Sequence, residues 1–97
     1  MEVRIQGIHF DVTRQLTDFI NKKADKLGRR YESISYADFN LTVLKPETAM
    51  NKQAVAKIIV PHFGELVAKK VADSFEEAVD LALAAIESQL EKEKNKK

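Results

Sequence analysis

Ninety-seven residues set the expectation of one domain with a real but thin core. Hydrophobic residues make up 44% and charged residues 32%, the balance of a globular domain and not of a disordered chain. Cysteine is absent, which excludes disulfides, thiol nucleophiles and thiolate metal sites.

No apolar run approaches the ~20 residues of a membrane span. Residues 1–10 alternate polar and apolar side chains, with Glu2 and Arg4 among them, unlike a signal peptide. The expectation is a cytoplasmic domain with no membrane contact. The net charge of +1 conceals a distribution. Residues 1–30 carry +3, 31–72 carry +1, 73–91 carry −6 and 92–97 carry +3. Local basic patches of this kind can bind polyanions whatever the total, because fields act within about a Debye length, ~8–10 Å.

In chain order, Val3 and Ile5 alternate with Glu2, Arg4 and Gln6, which predicts a strand. Gly7 interrupts the alternation, and Ile8 and Phe10 are expected to continue it beyond a bulge. Thr13 suits an N-cap. Leu16, Phe19, Ile20, Ala24 and Leu27 then recur at helical spacing. That helix stops at Gly28 or runs on toward Tyr31. Residues 36–44 alternate again, with Ala37, Phe39, Leu41 and Val43 on one face and Tyr36, Asp38, Asn40 and Thr42 on the other. Pro46 opens a loop over 46–52.

A third strand over 53–60 faces the core with Ala54, Ala56, Ile58 and Val60. Pro61, His62, Phe63 and Gly64 form a tight turn into a fourth strand over 65–71. Ser74 and Glu77 have capping-box spacing. Phe75, Val79, Ala82, Ile86 and Leu90 mark a long second helix. Residues 91–97 lose the apolar stripe and are expected to form a frayed basic tail.

The β-α-β-β-β-α order predicts an α+β fold. Its four-stranded mixed sheet carries two helices on one face, and the other face is wet. The first two strands should be parallel across a right-handed crossover, the last three an antiparallel meander.

Catalytic chemistry finds no support. His9 and His62 are the only histidines and stand far apart, so no metal site is expected. The serines lack a G-x-S-x-G context, and three glycines make no phosphate-cradling loop. No cofactor or small-molecule substrate is implied. Glu76, Glu77 and Asp80 complement the dipole at the start of the second helix.

The basic residues are more informative. Lys22, Lys26 and Arg29 fall at i, i+4 and i+7 on the first helix, one solvent-facing row. Lys23 borders the apolar stripe and snorkels outward, and Arg30 extends the row. Lys92, Lys94, Lys96 and Lys97 form the second cluster. By itself such a pattern is commonly a solvated face with cations favourably placed near helix C-termini.

Several stretches together resemble the ribosome hibernation promoting factor family, also called sigma-54 modulation or S30EA-type ribosomal proteins. They are the opening V-R-I-Q-G and the D-V-T cap; Lys23-Ala24-Asp25-Lys26-Leu27; the hairpin F-G-E-L-V-A; Ala78 and Ala82 of the second helix; and the end Gln89-Leu90 with Lys92 and Lys94.

The resemblance covers essentially the whole chain. It implies a double-stranded-RNA-binding-domain-like fold and a non-enzymatic protein, monomeric when free. Such a protein sits in the mRNA/tRNA channel of the small ribosomal subunit, inhibits translation and preserves idle ribosomes. Lys23 and Lys26 match the family's basic positions on the first helix, and Lys92, Lys94 and Lys96 its basic run on the second. Lys22, Arg29 and Arg30 join them as RNA contacts on charge.

The family often has a basic residue where this chain has Ala85 and Ser88, and a Tyr where it has Glu76. The acidic body of the second helix is expected to face solvent or a basic ribosomal protein. The alternatives are a binder of other structured RNA, or a protein-interaction module using that acidic helix.

Overall fold

A computed structural model describes residues 1–61 and 63–94, the side chains of 93 and 94 excepted. The elements run β1 (Glu2–Ile8), α1 (Arg14–Arg30), β2 (Tyr36–Val43), β3 (Lys52–Val60), β4 (Gly64–Ala72) and α2 (Phe75–Lys94). The sheet order is β1-β2-β3-β4. β1 pairs parallel to β2, and the β2–β3 and β3–β4 pairs are antiparallel. This is the expected topology.

Local chemistry explains the helix starts. Thr13 Oγ1 accepts the Leu16 N–H at 3.2 Å, and Ser74 Oγ accepts the Glu77 N–H at 3.1 Å. Each cap satisfies a donor that the first helical turn leaves orphaned. Four residues of the expected stripe, Leu16, Ile20, Ala24 and Leu27, are buried from α1. α2 buries Ala78, Val79, Ala82, Leu83, Ile86 and Leu90.

Both helices cover the face presented by Ala37, Phe39, Leu41, Ala54, Ala56, Ile58, Leu66 and Ala68. Small residues on β3, β4 and α2 let that helix lie close to the sheet. The opposite face stays uncovered, as expected. It carries Arg4, Asp38 and Lys57 in one row across the strands and Gln6, Asn40, Val55 and Lys69 in the next.

One local expectation changes, and α1 takes the longer of its two expected courses. No bulge follows Gly7: β1 pairs residue for residue with β2 from Glu2 to Ile8, and Phe10 lies beyond the strand. α1 passes through Gly28 and ends at Arg30, where the Tyr31 N–H bonds the Leu27 carbonyl. α2 stays helical to Lys94, past the end of its apolar stripe. Its residue Glu91 accepts a hydrogen bond from Tyr31 and lies 3.7 Å from Arg30, which holds that turn. Residues 95–97 of the expected frayed tail lie outside the described residues. No helix among the described residues is long and apolar enough to cross a membrane.

Candidate nucleic-acid interface

The two helices carry opposite charge. α1 has six basic residues against two acidic ones. α2 has six acidic against two basic, the latter both in its last turn. The helices lie side by side on the sheet and touch through charged side chains. Lys23 Nζ is 3.2 Å from Asp80 Oδ1. Arg30 stands 3.8 Å from Glu87 and 3.7 Å from Glu91.

The first contact of each kind advances by seven residues on both helices, from Lys23–Asp80 to Arg30–Glu87. Only parallel helices keep such a register, so Lys92 lies toward the same end of the domain as the basic cluster of α1.

Between the pairs runs a groove of about 300 Å³. Lys23, Lys26, Leu27 and Arg30 line it on α1; Asp80, Leu83, Ala84 and Glu87 line it on α2. Its floor is apolar and its walls are of opposite sign. The charged heads also stand over aromatic rings: Lys23 Nζ lies 5.4 Å from the Phe19 ring centre, and the Arg30 guanidinium 5.6 Å from that of Tyr31. The pairs are solvent-facing, with side chains 38–61% exposed. Pairs of this kind contribute only ~0–1 kcal/mol each.

Tyr31 is the more deeply set member of the cluster. Its hydroxyl donates to a Glu91 carboxylate oxygen. That bond, with burial second, raises the phenol pKa above its ordinary value, while Arg30 opposes the shift.

The expected site residues therefore divide. Lys22, Lys26 and Arg29 are exposed and have no carboxylate within ion-pair distance among the described residues. They form the outward row their spacing implied. Lys23 and Arg30 are turned to α2 and neutralised there. Lys92 is exposed, one residue beyond the Glu91 that Arg30 touches. The side chain of Lys94 and all of Lys96 lie outside the described residues.

The acidic body of α2 departs from expectation in part. Glu76 and Glu77 do face solvent, whereas Asp80, Glu87 and Glu91 face α1. Sequence reasoning missed Tyr31 and these three acids as members of the site. The equal seven-residue steps 23/30 and 80/87 were the available signal. No group of three or more potential metal ligands occurs among the described residues.

Solved structures share this fold. A ribosomal subunit interface protein from Coxiella burnetii superposes with a TM-score of 0.87 at 24% identity, over 99% of this chain and 100% of that one. The N-terminal domain of Thermus thermophilus Protein Y superposes with a TM-score of 0.77 at 20% identity, over 95% of this chain and 98% of that one. These likenesses define the class by its fold: a four-stranded mixed sheet with two helices on one face, in β-α-β-β-β-α order.

Sequence kinship goes further. The family described as Sigma 54 modulation protein / S30EA ribosomal protein matches residues 3–97. A ribosome hibernation promoting factor of Azotobacter vinelandii is 30% identical over 96 residues, 99% of this chain and 85% of the relative. One from Pseudomonas putida is 27% identical over 96 residues, 99% of this chain and 89% of the relative. The chain belongs to the Sigma 54 modulation protein / S30EA ribosomal protein family.

Proposed function

We infer that this protein is a cytoplasmic ribosome hibernation factor that acts by occupancy and not by catalysis. It binds the small ribosomal subunit in the mRNA/tRNA channel, inhibits translation and preserves idle ribosomes. It is a monomer when free and needs no cofactor.

The observation that carries this is the row Lys22, Lys26 and Arg29, exposed on α1 and free of carboxylate partners among the described residues. The row spans roughly 10 Å of helix axis at ~1.5 Å per residue. A rigid line of cations on a helix reads phosphates and groove shape, not base edges, as recognition of folded RNA requires. Family membership and the relatives' names supply the ribosome as the RNA concerned. A protein-interaction module built on the acidic helix has less support, because three of its carboxylates already engage α1.

Charge reversal separates the surfaces. Lys22→Glu with Lys26→Glu is expected to abolish co-sedimentation with purified small subunits. Arg4→Glu with Lys69→Glu, on the uncovered sheet face, is expected to leave it intact. The opposite pattern would move the site to the sheet. Equal binding to free duplex RNA and to subunits would favour the general RNA-binding alternative.

A further inference from the structure

Phosphate is not the only anion offered to α1. The carboxylates of Asp80 and Glu87 sit 3.2 Å from Lys23 and 3.8 Å from Arg30, in matching register one heptad apart. Both cations occupy the wall of the interhelical groove, and the facing wall is the acidic one. An RNA backbone that approaches the groove from solvent meets two cations already paired and two carboxylates beside them. The pairs are open to water, so they exchange and do not lock the fold.

We propose that Asp80 and Glu87 are built-in competitors for the phosphate-binding surface: they occupy Lys23 and Arg30 in the free protein, and RNA must displace them to recruit those cations. This rests on the phosphate-binding function proposed above. It makes α1 a two-level surface. Lys22 and Arg29, with the unpaired Lys26 at the edge of the groove, give the first contact, and Lys23 and Arg30 join only where RNA reaches into the groove. Weak or shallow RNA ligands then gain nothing from the paired cations. Asp80 and Glu87 thus set affinity and selectivity without touching RNA.

Two isoelectric variants test this. Asp80→Asn with Glu87→Gln removes the competitors. Glu76→Gln with Glu77→Gln removes the same charge from exposed positions of the same helix that make no ion pair among the described residues. Binding to purified small subunits is measured across a salt series.

The Asp80/Glu87 variant frees Lys23 and leaves Arg30 only its 3.7 Å contact with Glu91, so it should steepen the slope of log K against log salt by about 0.7–0.9 and tighten binding about threefold at low salt. The Glu76/Glu77 variant should fall well short of both. Equal gains in the two variants would overturn the proposal, since total charge would then explain everything. An unchanged Asp80/Glu87 variant would overturn it too, while salt-dependent binding by the unmodified protein would leave the proposed function standing. If neither the unmodified protein nor any variant bound subunits, the proposed function would fail, and this inference with it.

Discussion

Gly7 and Gly28 look alike in the sequence and differ in what surrounds them. A Cβ at Gly7 would stand 2.6 Å from the Phe10 carbonyl oxygen and 2.9 Å from Val12 Cγ2. The first of these is backbone and cannot swing aside. Gly7→Ala is therefore expected to cost about 1–3 kcal/mol in urea denaturation. At Gly28 the nearest atom is the Met1 Cε at 3.0 Å, the far end of a flexible side chain. Gly28→Ala should instead stabilise by about 0.5–1 kcal/mol, the gain from replacing a glycine inside a helix. Equal losses at both positions would contradict this assignment. The sequence marked Gly7 as an interruption, but the cause was not legible there. The crowding comes from residues 10–12 folding back over the strand, a contact that alternation along β1 cannot report.

At the scale of elements, the stripes and caps were readable because they are local. Thr13, Ser74 and the apolar positions of α1 and α2 act within a turn or two of themselves. The engagement between helices was not readable, since it depends on how the sheet sets them side by side. Tyr31 shows the consequence. Taken alone it ends an apolar stripe; in the fold it ties the end of α1 to Glu91 on α2. Its folded pKa is raised above the unfolded phenol value of ~10. The stabilisation is thus fully present below about pH 10 and lost as pH rises through the higher folded value. Tyr31→Phe should cost about 1 kcal/mol at neutral pH, a value at the low end for a bond to a partly exposed carboxylate. It should also flatten the alkaline loss of stability. An unchanged alkaline limb would show that the Tyr31–Glu91 bond does not couple the helices.

For the whole molecule, a net charge of +1 resolves into a basic α1, an acidic α2 and a balanced open sheet face. On that face Arg4, Lys57 and Lys69 offset Glu2, Asp38 and Glu65. Topology and the location of the basic row followed from periodicity and spacing. Which cations are free to meet phosphate did not: spacing sets Lys23 beside the apolar stripe, but only the fold brings Asp80 to 3.2 Å from it. On the proposed function, the free row and Lys92, with Arg30 and Lys23 recruited on binding, would give about 4–6 phosphate contacts. The most direct test is the affinity of the purified protein for small ribosomal subunits over a range of salt. Log K should fall linearly with log salt at a slope of about −3 to −5. Binding that salt does not weaken, or no binding at low salt, would contradict the account.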